Sequence, residues 1–164
     1  ITHAVASHED GIGMFAWRND DGTWSPFFPN GPLMFSQREF DAIVRGEHPS
    51  EGRVLRELHA KGAVQLTGDR TQITDAVVVE HTGAHTPGHQ VVRIDSNGAR
   101  AIFVGHLAVS PLHFVSGECP PLNLDPERAW TVLTALRDEG ALLIGPLWPE
   151  PGAGRWDCSQ LVPV

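Results

Sequence analysis

The tetrapeptide Asp95-Ser96-Asn97-Gly98 lies between two short apolar stretches, and it restricts this chain more than any other local feature. An Asn-Gly pair favours the left-handed backbone of a tight β-hairpin turn. Gln90–Ile94 and Ala101–Val104 are therefore predicted to pair as antiparallel strands. Further short strands are expected at Leu33–Phe35, Ala63–Leu66, Ala76–Glu80 and Leu142–Ile144, with two more in the tail from Gly154 to Val164. Between them lie helix signals. Ser36 stands three residues before Glu39, the capping-box spacing, with Phe40, Ile43 and Val44 as the apolar face. A second helix is predicted over Ser50 to Lys61, with Val54, Leu55 and Leu58 inward and Gly62 ending it. Asp125-Pro126 combines a capping residue with proline at the first helical position. Ala129, Val132, Leu133 and Leu136 follow as a buried stripe that Gly140 closes. Strands mixed with helices in one chain, without a repeat or an internal linker, give an α/β or α+β domain over 1–164, with layered sheets and helices outside. Residues 18–32 are rich in Gly, Pro and Asp and read as a long loop that carries Trp24, Phe27 and Phe28. Those aromatics serve equally as the wall of a pocket or as staples that hold the loop to the core.

Charge and composition narrow the function classes. A net charge of −8 with no basic stripe argues against nucleic acid as a partner. No apolar run approaches the roughly 20 residues that cross a bilayer, so no membrane span is expected. No signal peptide is visible, and the expected location is the cytoplasm. Cys119 and Cys158 read as free thiols.

Nine histidines are many for 164 residues. His3, His8, His89 and His106 fall where strands give way to loops, positions that hold a side chain firmly and leave room for a ligand. His48, His59, His81 and His113 read as surface or ordinarily hydrogen-bonded residues, and His85 as a residue that shapes its turn.

The order of the motifs around these histidines resembles the metallo-β-lactamase superfamily. Thr2-His3-Ala4-Val5-Ala6-Ser7-His8-Glu9-Asp10-Gly11 is similar to its T-H-x-H-x-D-H-x-G motif. Ala84-His85-Thr86-Pro87-Gly88-His89 is similar to its G-H-T-P-G-H turn, Gly105-His106-Leu107 to its G-D-L step, and Leu147 to Arg155 to its H-F-x-x-P-x-x-G-R segment. Trp24 to Asn30, followed by Ser36 to Phe40, further resembles the branch of quorum-quenching lactonases and organophosphate hydrolases. The resemblance implies the C-terminal portion of a four-layer αββα sandwich. Because the sequence starts at the first motif, the resemblance also implies that the front of the domain comes from a separate polypeptide, the alternative being that this sequence is one part of a longer chain.

In that family the motif histidines and aspartates hold two metals. Here Val5, Ser7, His106 and Leu147 stand at ligand positions in place of histidine, aspartate, aspartate and histidine. Val5 and Leu147 have no lone pair to give, and the carboxylates that balance two cations are gone. A binuclear centre is therefore not expected. The remaining choice is no cofactor or a single zinc held by His3, His89 and His106. His8 and His106 are the candidate general acid–bases, and Ser7 is the candidate nucleophile. The implied function is a hydrolase-like protein acting on an ester, lactone or related small molecule. A non-catalytic descendant that binds a small molecule or protein, and a metal-free natural-product tailoring enzyme, are the alternatives.

Overall fold

A computed structural model describes residues 15–117, 121–157 and 160–163. His3, Ser7 and His8, with the rest of the first motif, lie outside the described residues, as do Cys119 and Cys158. The chain divides into two units, Ile1–Gly68 and Asp69–Val164.

The first unit begins its described part with β1 (Ala16–Arg18) and β2 (Trp24–Pro26), an antiparallel hairpin. The stretch read from sequence as one long loop thus contains a strand pair. Its turn is closed by Asn19 N–H donating to the Thr23 carbonyl at 2.7 Å. The Asn19 side-chain amide also donates to the Thr23 and Ser25 hydroxyls. This polar clamp supplies the pairing that hydrophobic alternation does not signal. Next come β3 (Leu33–Ser36), α1 (Gln37–Val44), α2 (Arg53–Ala60) and β4 (Val64–Thr67). β3 and β4 pair in parallel, Leu33 opposite Val64, with the two helices as the crossover.

The capping-box reading of α1 holds: the Ser36 side chain accepts from the Glu39 N–H. α2 starts later than predicted. Gly52 adopts a left-handed φ of 60° at its N-cap, and a Cβ there would meet Ile43 Cγ2 at 2.2 Å. The Ser50 hydroxyl accepts from the Gly52 N–H, so Ser50 and Glu51 form the turn into the helix. Phe35, Ile43, Val54, Leu55 and Leu58 form the core of this unit. Each buried aliphatic or aromatic side chain contributes on the order of 2 kcal/mol of transfer free energy.

The second unit is built on a seven-stranded sheet in the order β11-β10-β9-β8-β7-β6-β5. Its strands are β5 (Arg70–Thr74), β6 (Val77–His81), β7 (Gln90–Ser96), β8 (Ala99–Phe103), β9 (Leu142–Ile144), β10 (Ala153–Asp157) and β11 (Gln160–Pro163). The predicted Asn-Gly hairpin joins β7 to β8, with Asn97 at φ 52° and Gly98 at φ 78°. β8 and β9 pair in parallel. Between them the chain passes through α3 (His113–Ser116) and α4 (Pro126–Asp138). As predicted, Asp125 caps α4 by accepting from the Arg128 N–H, with Pro126 at the first helical position.

One face of this sheet carries Val91, Ile102 and Leu143, which join Ala129, Leu133 and Leu136 of α4 in a single core. Arg93 lies on that face at its margin. It holds Glu139 through both terminal guanidinium nitrogens, one at 2.9 Å, and Glu80 through Nε at 3.0 Å. The opposite face carries Val92, Ile94, Ala101, Phe103, Leu142 and Ile144, which keep part of their surface exposed. Among the described residues no helix is long and apolar enough to cross a membrane.

Candidate functional site

β6 and β7 are joined by the loop of residues 82–89, and this loop organises the described part of the site. His81 and Gln90 are the last residues paired across the two strands. Beyond them the backbone closes on itself: the His89 carbonyl accepts from the N–H groups of Thr82 at 2.8 Å and Gly83 at 3.1 Å, and the His89 N–H donates to the Thr86 carbonyl. Gly83 is needed here. Its φ is 61°, and a Cβ would lie 2.6 Å from the His81 ring. His81 Nε2 donates to the Pro87 carbonyl at 3.0 Å, tying the strand end to the Thr-Pro-Gly-His turn.

Sequence reasoning singled out His89, and the structure buries it completely. Its Nδ1 is 2.7 Å from the Thr82 hydroxyl, which also donates to the His89 carbonyl at 3.1 Å. A hydroxyl has one proton. With that proton on the carbonyl, Nδ1 is the donor to Thr82, and Nε2 carries the lone pair. Burial, followed by the neighbouring His85, His106 and His81, lowers the pKa of His89 well below the ordinary histidine value. The ring is therefore a neutral imidazole at physiological pH.

His106 follows β8 on the 3₁₀ turn Gly105–Ala108, which Gly105 enters at φ 58°. Leu107 and Ala108 of that turn are buried, and His106 is half-buried. His85, read from sequence as a turn residue, stands between the two other rings. Its centroid is 5.6 Å from His89 and 5.6 Å from His106, edge to face in each case. The fold therefore brings together two of the predicted site residues and adds a third histidine. Nδ1 of His85 donates to the Asn123 carboxamide oxygen at 3.0 Å. The segment bearing Asn123 is fixed by backbone bonds from Leu124 N–H to the His85 carbonyl and from Asp125 N–H to the Ala84 carbonyl. From α4, Arg128 donates to the Thr82 carbonyl at 2.6 Å.

Thr82, Asn123 and Arg128 were not found by sequence reasoning. None forms a motif with a histidine, since each acts across a chain reversal. Leu147, at the position of a family ligand, is 60% exposed, while Trp148 beside it is buried. Trp148 packs edge-on against Phe114 and donates from Nε1 to the Ala108 carbonyl at 2.7 Å, below the 3₁₀ turn. That arrangement is packing support for the turn of His106. In the first unit Trp24 is buried, whereas Phe27 and Phe28 are 54% and 59% exposed, so only Trp24 acts as a core anchor. His48, read as surface or ordinarily hydrogen-bonded, is buried and accepts the Ser50 N–H at Nδ1.

Among the described residues no group of three His, Cys, Asp or Glu side chains is arranged to hold a metal ion. The His85 imidazole packs edge to face against both His89 and His106.

No protein-family model matches the sequence, and no curated protein sequence matches it either. Solved structures do. The hydrolase AbOPH of the beta-lactamase superfamily superimposes with a TM-score of 0.76 at 20% identity, over 99% of this chain and 62% of that one. AidC, a dizinc quorum-quenching lactonase, gives 0.74 at 17% identity over 99% and 62%. A probable metal-dependent hydrolase from Staphylococcus aureus gives 0.74 at 14% identity over 99% and 60%. The chain spans about three fifths of the length of these structures. At such identities the likeness speaks for architecture and leaves chemistry to the residues. Mixed sheets and helices in this order, matched along nearly the whole chain, give the protein a metallo-β-lactamase-like fold.

Proposed function

We propose that this protein is a hydrolase-like descendant of the lactonase and organophosphate-hydrolase branch, acting on an ester, lactone or related small molecule with at most one metal. The observation that carries the reading is His89: fully buried, neutral, and fixed at Nδ1 by Thr82, with His85 and His106 edge-on beside it. A polar ring taken out of water and positioned by a second residue is the arrangement by which proteins hold a working imidazole. His106, half-buried on its turn, is the group in this set that exchanges a proton with a bound molecule, and His8 is the second candidate acid–base. Ser7 is the candidate nucleophile. If one metal binds, His3, His89 and His106 supply its nitrogen ligands, and the ion would polarise a carbonyl oxygen or acidify a water.

A second reading, a metal-free enzyme or a non-catalytic binder, is favoured by the sequence: Val5 and Leu147 have no lone pair to give, and Ser7 and His106 stand where the resemblance expects aspartates. Elemental analysis of protein purified without chelator separates the readings, combined with hydrolysis assays on a lactone and ester panel using wild type, His89→Ala and His106→Ala. One equivalent of zinc or iron lost in His89→Ala, together with turnover lost in both variants, supports the first reading. Undiminished turnover in both variants would sink it.

A further inference from the structure

We infer that Asn123 is a ligand-binding residue, whose side-chain amide donates a hydrogen bond to a carbonyl or carboxylate oxygen of the molecule held at His85, His89 and His106. The inference rests on the ester or lactone reading above and names the contact that recognises the oxygen. Asn123 is only 6% exposed, and its two ends have different fates. The carboxamide oxygen accepts from His85 Nδ1 at 3.0 Å. The carboxamide nitrogen is buried with no hydrogen-bond partner among the described residues. An NH₂ group only donates, and leaving it unsatisfied in a buried place costs about 1–3 kcal/mol.

The backbone that carries Asn123 is held in place. Leu124 N–H and Asp125 N–H are bonded to the carbonyls of His85 and Ala84, and Asp125 in turn caps α4. As placed, the carboxamide turns its oxygen to His85 Nδ1 and leaves its NH₂ for another acceptor. The carboxamide is thus held against the His85 ring, and its NH₂ is the group left to meet an oxygen, as recognition by a fixed donor requires. The same residue sets the His85 ring, so ligand recognition and histidine orientation share one side chain. Its neighbours Leu122 and Leu124 are 68% and 65% exposed, an apolar flank on either side of the polar donor.

The test is a side-chain amide and imidazole ¹H–¹⁵N titration of the whole chain with γ-hexanolactone and with hexanoate. The Asn123 NH₂ signals are expected to move with the His85 and His89 ring signals and to saturate at the same concentration. Asn123→Asp keeps the oxygen for His85 and removes the donor. It is expected to weaken lactone binding about tenfold while retaining the His85 Nδ1–H signal. If the ring signals respond while the Asn123 NH₂ stays still, as it would with an ordered water on that nitrogen, the inference is overturned and the ester reading stands. Unchanged lactone affinity in Asn123→Asp overturns it equally. If neither compound moves any of these signals, the ester reading fails and takes the inference with it. The wild-type titration decides the matter even if Asn123→Asp does not fold.

Discussion

Thr82 and His89 close the same loop twice, once through the backbone, where Thr82 N–H donates to the His89 carbonyl, and once through the Thr82 hydroxyl against His89 Nδ1. Removing the hydroxyl leaves a buried imidazole nitrogen without its partner. Thr82→Val is expected to lose about 1–3 kcal/mol, and Thr82→Ser to recover most of it. Urea midpoints at constant slope measure both.

His89 also makes stability depend on pH in protein freed of metal. Burial, with His85, His106 and His81 around it, lowers its folded pKa well below the ordinary value. Below about pH 6.5 the unfolded chain takes up a proton that the folded chain refuses. Stability from this group is therefore complete above that pH and declines as pH falls toward the folded value. Wild type should lose more stability than His89→Gln between about pH 7.5 and about pH 5.5. Equal losses in denaturant titrations at the two pH values would remove His89 as the cause.

Asp125 has a single measurable task at the start of α4. It accepts from the Arg128 N–H, and its replacement by Ala is expected to cost about 1 kcal/mol. Asn at the same place should restore most of the loss in thermal unfolding.

Within the core, Leu133 of α4 is fully buried, and Leu133→Ala should cost about 2–5 kcal/mol by leaving a cavity. Phe28, at 59% exposure, is a contrast: Phe28→Ala should stay within about 0.5 kcal/mol. A large loss at Phe28 would mean that its exposed ring is covered in solution.

At the sheet margin, Arg93 gathers Glu80 and Glu139, with its guanidinium partly exposed. Solvent screening limits the pair, so a double-mutant cycle on Arg93 and Glu139 is expected to give about 1 kcal/mol.

The parts of this structure that were legible in the sequence are those specified locally. Ser36 with Glu39 and Asp125 with Pro126 announce their helices because a cap is satisfied within one turn. Asn97-Gly98 announces its hairpin because only a few residues accept a left-handed backbone. β5 was missed because Arg70–Thr74 alternates polar side chains at an exposed position and carries no apolar period. β1 and β2 were missed because three-residue strands are held by Asn19 rather than by a hydrophobic pattern. At the site, His89 and His106 were legible through their motifs. His85 as a neighbour of both, and Asn123 as its partner 38 residues away, depend on where the segment before α4 crosses the β6–β7 loop. That crossing is a tertiary event with no local signature.

The seven-stranded sheet is clad on one side by α4 and leaves part of its other side in contact with solvent. Along β7 this gives neighbouring residues unequal tolerance to change. Val91 points into the helix-covered core, while Val92 and Ile94 keep exposed surface. A saturation scan of this strand should therefore trace a two-residue sawtooth, with polar replacements rejected at Val91 and accepted more readily at Val92 and Ile94. A sawtooth that flattened in the cell, with both sides equally intolerant, would register something lying against the second side there.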